Sequence, residues 1–435
     1  MAQVAIIGAG AMGLAAAYHA VKAGHRVTVY EADRIPGGMA AHFDFGGLSI
    51  ERYYHFVCKA DQPTFDLMRE LGLSDRMRWV DTSMGYFIDG GLHEWGNPVA
   101  LLKFPHLNLI EKVRYGLMMF MSVQRRSPGS LESLSASKWI EAWCGSRVYS
   151  KLWRLLFDLK FYECADDISA AWIWTRIKRV GTSRRSLMQE ELGYIEGGAE
   201  VLIDALVQAI KAKGGEIRLG TRVDQVTITG GRVSGVTSDG RADDYDAVIS
   251  TVPIPYISKM IPDLPASARA AYEKFLNIGV ACLIFKLKRS VTPHFWVNVA
   301  DRRMGIPGFV EFSNLRPVGD TIVYVPYYMP VTNPNWARSD EELLAEAFGY
   351  LKLVNPALTD TDRLDARVGR LKYAQPVCRR GFAATIPKVQ TAVAGLQIAD
   401  TSFYYPEDRG ISESVRYGAR MAQAITDPTV WKSRP

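Results

Sequence analysis

The sequence predicts an α/β protein in which a Rossmann-like domain carries an inserted α+β substrate domain. Three observations predict this fold class. The chain opens with a strand, a glycine turn, a helix and a second strand within its first 31 residues. Patterns of the same kind return near residues 195 and 391, after long excursions. At 435 residues the chain is also too long for one ordinary core, and 48% hydrophobic with 23% charged residues is a globular composition.

The first element is an apolar strand over residues 4–7, which leads into the glycine motif of Gly8, Gly10 and Gly13. A helix pattern follows, and the second strand ends at the carboxylate of Glu31. This spacing is typical of a dinucleotide site, because Gly8 permits the tight turn and Gly10 lets the backbone approach a pyrophosphate. Gly13 lets the helix pack on the strand, and Glu31 is placed to accept hydrogen bonds from ribose hydroxyls. A glycine turn that serves packing alone is the alternative.

A second glycine pair, Gly37 and Gly38, comes directly after this unit. A simple NAD-binding domain does not need it there, whereas a larger cofactor that lies across the sheet needs a second close approach of the backbone. The pyrophosphate is expected at the N-terminus of the first helix, which begins near Ala11.

The next elements form the first excursion. Apolar residues spaced by three and four predict mostly helices over residues 61–195, with clear examples at 65–71 and 148–157. The chain then returns through a helix over 201–212, a strand at 216–219, a hairpin over 222–238 that turns at Gly230 and Gly231, and a buried strand over 245–250.

A second excursion, from about 255 to 390, alternates strands such as 280–285 and 321–325 with a helix over 340–353. A last strand at 396–400 and a closing helix over 412–425 complete the first domain. We therefore predict a discontinuous nucleotide domain of residues 1–57, 195–254 and 391–435. The substrate domain comprises 58–194, its helical part, and 255–390, its mixed-sheet part.

Charge and cysteine content exclude several classes of protein. A net charge of +6 is mild for this length and comes without a nucleic-acid motif, so no nucleic-acid partner is expected. No spacing of ligands predicts a metal site, and no nucleophile elbow or pair of glycosidase carboxylates predicts a hydrolase. The start of the chain lacks a signal-peptide pattern. A reducing cytoplasm suits the five scattered cysteines: Cys58, Cys144, Cys164, Cys282 and Cys378.

The most apolar helical stretch, residues 115–123, leaves two interpretations open. Met and Phe between cationic flanks are typical of a helix that dips into a membrane surface. The alternative is a buried helix that lines a core or a substrate tunnel. The first interpretation predicts a cytoplasmic protein with peripheral contact to the inner face of a membrane.

Taken together, these motifs resemble the superfamily of FAD-dependent amine oxidases, protoporphyrinogen oxidases and phytoene desaturases. The resemblance covers nearly the whole chain and rests on GAGAMG (8–13), RIPGGMA (34–40), IEGGAEVLIDAL (195–206), TRVDQV (221–226), DAVISTVP (246–253) and IADTSFYYPEDRGISESVRYGARMA (398–422). It implies a GR2-type flavoprotein fold with FAD as the cofactor. There is also a partial resemblance to UDP-galactopyranose mutases, in the segments 46–56 and 404–408.

The resemblance also implies where FAD is bound. It places the Val223 backbone against the adenine, Asp400 at the ribityl or pyrophosphate end, and the amide of Ile411 or Ser412 against the flavin pyrimidine carbonyl. An amide at a helix N-terminus there stabilises the negative charge that builds up on flavin reduction. The complete set of predicted cofactor-binding residues is Gly8, Gly10, Ala11, Met12, Gly13, Glu31, Ala32, Gly37, Gly38, Met39, Ala40, Val223, Thr251, Asp400, Gly410, Ile411 and Ser412.

Three residues are candidates for catalysis. The family brings the segment around His55 past the flavin, so a neutral imidazole or its backbone carbonyl is expected at the flavin edge, with a packed histidine as the alternative. Arg409 lies near the flavin-facing turn as a candidate for holding an anion. Tyr328 is a candidate for the wall of an aromatic pocket.

The predicted activity is that of an FAD-dependent oxidoreductase, which accepts a hydride at flavin N5 from a small organic substrate. Oxygen or a quinone is the expected electron acceptor. An anionic substrate is among the candidates, because five basic residues cluster in the first excursion: Arg176, Lys178, Arg179, Arg184 and Arg185. The alternatives are a mutase-like enzyme of sugar-nucleotide metabolism that uses reduced FAD, a peripheral membrane enzyme acting on a lipid, and a non-catalytic FAD-binding protein. The oligomeric state stays open.

Overall fold

The computed structural model describes residues 1–432. Its strands are β1 Gln3–Ile7, β2 Arg26–Tyr30, β3 His42–Asp44, β4 Ser49–Glu51, β5 Met77–Thr82, β6 Met84–Ile88, β7 Gly91–Trp95, β8 Arg184–Ser186, β9 Gln189–Ile195, β10 Glu216–Arg218, β11 Val223–Thr229, β12 Arg232–Ser238, β13 Arg241–Asp244, β14 Ala247–Ser250, β15 Asn277–Leu287, β16 Trp296–Val299, β17 Gly308–Glu311, β18 Thr321–Met329, β19 Arg363–Pro376 and β20 Leu396–Ile398. Its α-helices are α1 Ala11–Lys22, α2 Gln62–Glu70, α3 Pro98–Lys103, α4 Leu109–Gln124, α5 Ala136–Cys144, α6 Ser146–Tyr149, α7 Leu155–Phe161, α8 Ala170–Thr182, α9 Ala199–Ala212, α10 Ile257–Met260, α11 Ala266–Tyr272, α12 Asp340–Val354 and α13 Ile411–Gln423.

The first sheet is parallel and has the strand order β10-β2-β1-β14-β20. Its strands come from the three segments that the sequence assigns to the nucleotide domain. β1 lies in the centre, where Val4 pairs with Val27 on one side and Ala247 on the other. Both faces of such a sheet are covered, which explains why its strands read as short, continuous apolar runs. The predicted α/β class is confirmed.

The second sheet has seven strands in the order β19-β15-β18-β17-β16-β6-β7 and is antiparallel except where β16 pairs with β6. Helix α12 packs on one of its faces, where Phe285 of β15 meets Phe348. Strands from both excursions share this sheet, so the excursions form one structural layer. The residue limits of the two domains stay a prediction.

The first excursion contains more strand than the sequence analysis expected. Helices α2 to α8 are present, but β5 to β9 lie in the same region. The β6–β7 hairpin had a visible signal in Asp89 and Gly90, whose φ angles of 49° and 79° belong to a tight hairpin turn. Alternating residues on either side of this Asp-Gly pair should have outweighed the helical spacing of the neighbouring segments.

Helix α4 is apolar on two sides. A capping box between Asn108 and Glu111 fixes its start. Tyr115 and Met118 lie on the buried side, whereas a second stripe of apolar residues faces outward. Among residues 1–432, no helix combines the length and the hydropathy that a membrane span requires.

Candidate functional site

The turn between β1 and α1 is as tight as the glycine motif predicts. Gly8 has φ +104° and its amide donates to the carbonyl of Tyr30 at 2.8 Å. A Cβ on Gly13 would lie 1.9 Å from the carbonyl oxygen of Gly8, so α1 can approach the turn only with glycine there. The second glycine pair packs on this turn, since the Gly37 amide donates to the Ala9 carbonyl at 2.8 Å.

The carboxylate of Glu31 lies directly beside the same turn. One oxygen accepts from the amide of Ala9 at 2.7 Å and the other from the amide of Asp33 at 2.8 Å. A carboxylate has further acceptor capacity on each oxygen. Glu31 is therefore held in place by the backbone and can still accept bonds from a ligand.

A second helix begins at the same place. Helix α13 packs so closely on α1 that a Cβ on Gly418 would lie 2.4 Å from the carbonyl oxygen of Met12. The residues that precede the two helices are Gly10 and Gly410, and no side chain among residues 1–432 caps either N-terminus. Backbone amides in the first turn of each helix therefore remain available to a ligand.

Asp400 follows β20, at the same edge of the parallel sheet as the turn after β1. Its carboxylate accepts from the amides of Ile254 and Ser402, both at 2.8 Å. Burial raises the pKa of this carboxyl group above its ordinary value. Through these hydrogen bonds, the Asp400 carboxylate links the loop after β14 to the segment that precedes α13.

One cavity of about 1770 Å³ connects these features, which is larger than the usual size of a single ligand pocket. Of the twenty predicted site residues, Gly13 and Ser412 do not line it: Gly13 packs α1 on the turn, and Ser412 is buried in the first turn of α13. The other eighteen line the cavity: Gly8, Gly10, Ala11, Met12, Glu31, Ala32, Gly37, Gly38, Met39, Ala40, His55, Val223, Thr251, Tyr328, Asp400, Arg409, Gly410 and Ile411. We call the part around Gly10, Glu31 and Val223 the nucleotide end.

The opposite part of the cavity is a chamber with a mainly apolar wall. Its wall includes Trp95, Leu101, Tyr115, Met119, Leu156 and Ile173, which come from β7, α3, α4, α7 and α8. Phe120 and Leu187 also line it, yet they are 57% and 76% exposed. The chamber therefore reaches the surface between α3, α4 and the turn after β8.

The exposed stripe of α4 surrounds this opening. We call the stripe together with its neighbours on α3 and after β8 the apolar face. Its members are 40% to 76% exposed: Val99, Leu102, Leu109, Ile110, Val113, Leu117, Phe120, Met121, Leu187 and Met188.

His55, Tyr328 and Arg409 line the region between the nucleotide end and the chamber. Arg409 donates to the Tyr328 hydroxyl at 3.0 Å and also to the carbonyl of Ala374. Burial lowers the pKa of His55 to about 4, so its imidazole is neutral at pH 7. Its Nδ1 is enclosed and has no hydrogen-bond partner among residues 1–432.

Comparison with known proteins identifies the family. The family of flavin-containing amine oxidoreductases matches residues 13–402. The chain belongs to this family. It is an FAD-dependent oxidoreductase that acts on a small-molecule substrate with an electron acceptor, so the alternative of a non-catalytic FAD-binding protein is set aside.

Individual relatives of this flavin oxidoreductase are distant. A 15-cis-phytoene desaturase of Solanum lycopersicum is 25% identical over 429 residues, which cover 88% of this chain and 70% of the relative. The structure of reduced UDP-galactopyranose mutase matches with a TM-score of 0.77 at 16% identity, and covers 100% of this chain and 98% of its own. Cyclohexylamine oxidase from Brevibacterium oxydans IH-35A matches with a TM-score of 0.70 at 17% identity, covering 98% and 99%. The two structural likenesses concern the fold.

The residues around the cavity fit FAD. Two helix N-termini without side-chain caps suit the pyrophosphate and the electron-rich edge of a flavin, which is the pair of groups that FAD presents. A Cβ on Gly10 would meet no protein atom within 4 Å, so the backbone there is open to close approach. The enclosed Nδ1 of His55 is a polar atom that still lacks a partner within residues 1–432.

Sequence analysis missed Lys160. This lysine is buried in α7 between Phe157 and Phe161 and lines the chamber. A signal was present, because Lys160 occupies a position on the apolar side of its helix, where a charged residue needs a reason to be.

The five predicted basic residues do not form a single patch. Arg176 pairs with Asp408 at 3.0 Å, and Arg179 pairs with Asp61 at 2.8 Å. The others bind elsewhere: Lys178 to the carbonyl of Arg125, Arg184 to the carbonyl of Gly96 and Arg185 to Asp81. Arg176, Arg179 and Arg184 line the cavity, so only part of this group faces a ligand.

Proposed function

We propose that FAD lies along the nucleotide end with its adenosine between Glu31 and Val223. Its pyrophosphate would lie at the start of α1, and the electron-rich edge of its flavin at the amide of Ile411. The uncapped ends of α1 and α13 support this arrangement, because they offer amides at two places on one cavity wall. Glu31 supports it through its fixed carboxylate.

We propose further that the substrate carries an apolar tail, which occupies the chamber. FAD supplies the acceptor for a hydride taken from a C–H bond beside nitrogen or an unsaturated carbon. Oxygen or a quinone then takes up the two electrons. The observation that carries this proposal is the continuity of the chamber with the nucleotide end, since one cavity gives a tail and a cofactor a common space. The apolar wall excludes water from the reacting carbon.

The apolar face would dock on an anionic bilayer, from which the tail enters the chamber. Residues 98–126 contain five basic residues and one acidic residue, so this region complements anionic lipid head groups. Ile110 and Leu117 expose 72% and 48% of their surface on the same side of α4. An exposed apolar stripe with basic flanks is typical of a helix that lies in a membrane interface.

Tail binding is tested with n-alkanols of increasing length, added to the FAD-loaded protein and followed by tryptophan fluorescence. Affinity should rise by about fourfold per methylene, because each buried CH2 contributes about 0.8 kcal/mol. Gly116→Leu narrows the chamber between α3 and α4 and should remove this increase for the longer alcohols. Gly349→Leu in α12 is the control, because a Cβ on either glycine meets no atom closer than 3.6 Å. An affinity independent of chain length would refute the apolar tail.

Membrane docking is tested by flotation with vesicles of phosphatidylglycerol and phosphatidylcholine. The protein should float with these vesicles and less with phosphatidylcholine alone. The double variant Ile110→Asp and Leu117→Asp should bind at least tenfold more weakly. The control is Leu353→Asp with Leu364→Asp, which changes two leucines of 39% and 46% exposure outside the apolar face. Equal flotation of both double variants would contradict docking. Docking would also be contradicted if the unmodified protein were a dimer and only the variant Ile110→Asp with Leu117→Asp were a monomer, because a second copy of the chain would then cover the apolar face.

The mutase-like alternative makes a different prediction about electrons. Activity that requires prior reduction by dithionite, and consumes neither oxygen nor quinone, would mean that no net oxidation occurs. That result would overturn the proposed hydride removal while leaving the placement of FAD intact.

A further inference from the structure

Lys160 is an unusual residue for the wall of an apolar chamber. Its Nζ lies 4.5 Å from the ring centroid of Tyr328 and 5.6 Å from that of Trp172. The residue is 8% exposed, and three aromatic rings, those of Phe161, Trp172 and Tyr328, lie 4.5 to 5.7 Å from its Nζ. An ammonium group is attracted to such faces, but they do not replace the hydrogen bonds that it loses on leaving water.

Two arginines face the same space from other elements. The guanidinium carbon of Arg176, on α8, lies 4.5 Å from the ring centroid of Trp172, and the guanidinium pairs with Asp408 at 3.0 Å. Arg409 donates to the Tyr328 hydroxyl and to a backbone carbonyl, both of which are neutral acceptors. We call Lys160, Arg176 and Arg409 the cation cluster. Three basic groups, of which Lys160 is buried and the two arginines are half-buried, thus share one bonded carboxylate, although charges that leave water are usually paired.

The titration of Lys160 reflects this surplus. Burial lowers its pKa well below the ordinary value, and the charges of Arg176 and Arg409 lower it further. The groups that act on it from the surrounding elements are Arg176 on α8, Arg409 and Asp408 before α13, Cys378 after β19 and the ring of Tyr328 on β18. An added anion would reverse the balance, since it favours the protonated amine.

We propose that the cation cluster is a subsite for the anionic head group of the substrate, a phosphate or a carboxylate whose apolar tail lies in the chamber. The proposal rests on the proposed function for the tail and adds the head. Guanidinium groups bind such anions with two parallel hydrogen bonds, and Lys160 supplies a third donor. The Arg176 guanidinium already contacts the Trp172 ring and pairs with Asp408, so little freedom is lost when the anion arrives.

The test compares three probes on the FAD-loaded protein by calorimetry: n-octyl phosphate, n-octanol and inorganic phosphate. Octyl phosphate should bind at least tenfold more tightly than octanol, because only the former reaches the cluster with a charge. Inorganic phosphate should bind more weakly than octyl phosphate, which separates a tailed head group from the free anion. Titrations in buffers of different ionisation enthalpy use n-octyl sulfate, whose head group does not titrate near neutral pH, and are run from neutral pH up to the ordinary pKa of a lysine. Because the pKa of Lys160 is lowered, octyl sulfate should cause a net uptake of protons within this range and octanol should cause none.

Variants locate the effect. Lys160→Met and Arg176→Met should each lower the affinity for octyl phosphate at least tenfold. The affinity for octanol should change less than twofold. Lys178→Met is the matched control, because Lys178 is a half-buried lysine on α8 that contacts Trp174 and the carbonyl of Arg125 instead. It should change neither probe. Proton uptake is measured on the unmodified chain, so it still tests the subsite if a variant fails to fold.

Three results would overturn the subsite: equal affinity for octyl phosphate and octanol, absence of proton uptake with octyl sulfate over the whole pH range, or unchanged octyl phosphate binding in Lys160→Met. A shift of the flavin midpoint potential in Lys160→Met, without any loss of octyl phosphate binding, would assign the cluster to the cofactor instead. Failure of octanol to bind would refute the apolar tail and not the subsite, because inorganic phosphate would still report on the cluster.

Discussion

At the nucleotide end of the cavity the groups that we assign as ligands are mainly backbone amides, whereas around the chamber they are side chains. Amides precede and begin α1 and α13, and glycines let them be approached closely. The cation cluster instead combines side chains from α7, α8 and the segment before α13. A ligand is therefore held by the main chain at one end and by separate side chains at the other.

This difference has consequences for how each end tolerates change. Backbone amides keep their positions as long as the sheet and its helices are packed, so the nucleotide end depends on residues that allow close approach. Side chains at the chamber can be exchanged without moving the main chain, which suits a part that determines the substrate. Substitutions at the nucleotide end should then impair folding or cofactor binding, whereas substitutions around the chamber should change substrate specificity.

The largest effect is expected where packing and the nucleotide end coincide. Gly13→Ala would place a Cβ 1.9 Å from the Gly8 carbonyl oxygen, which the backbone of the turn cannot avoid. We expect a loss of more than about 3 kcal/mol in the free energy of unfolding, measured by urea with circular dichroism. Gly349→Ala in α12 is the control and should be neutral or stabilising by up to ~1 kcal/mol. Equal midpoints for both variants would contradict the close contact.

A neighbouring glycine should separate cofactor binding from folding. A Cβ on Gly10 meets no protein atom within 4 Å, so Gly10→Ala should fold normally. Its methyl group would stand in the space where we place the pyrophosphate. We expect FAD to bind about a hundredfold more weakly, a loss of ~2.7 kcal/mol, measured by the quenching of flavin fluorescence. Normal FAD affinity in this variant would move the pyrophosphate away from α1.

The same contrast explains how much could be predicted from the sequence. The β1–α1–β2 unit, the hairpin at Gly230 and Gly231, and α9 and α12 follow from local patterns, because each needs only neighbouring residues. A site built from backbone amides is visible in the sequence, because the close approach of a cofactor to the backbone requires glycines at fixed spacing. The contact of Lys160 with Tyr328 joins residues 168 positions apart, and no local pattern records it. Among the missed strands of the first excursion, β5 pairs with the distant β9 and β6 pairs with the distant β16, whereas the β6–β7 hairpin did carry a local signal in Asp89 and Gly90.

His55, between the two ends, should make stability depend on pH. Its folded pKa of about 4 lies below its ordinary value of 6.5, so the unfolded chain binds a proton in this range that the folded chain does not. Stability should fall as the pH drops from 6.5 towards 4, by about 2 kcal/mol between pH 7 and pH 5. In urea unfolding, the free energy of unfolding of His55→Gln should fall by about 2 kcal/mol less than that of the unmodified protein between pH 7 and pH 5. Parallel pH profiles for both proteins would place His55 in contact with solvent.

The smallest effect is expected at Glu31, the one side chain that we assign to the nucleotide end as a ligand. Glu31→Gln keeps the size of the group but replaces one acceptor by a donor, next to the donating amides of Ala9 and Asp33. FAD should bind about tenfold more weakly, a loss of ~1.4 kcal/mol, with Glu273→Gln on the surface as a control. An unchanged dissociation constant would mean that Glu31 serves only those two amides, and that backbone atoms alone hold the cofactor at this end.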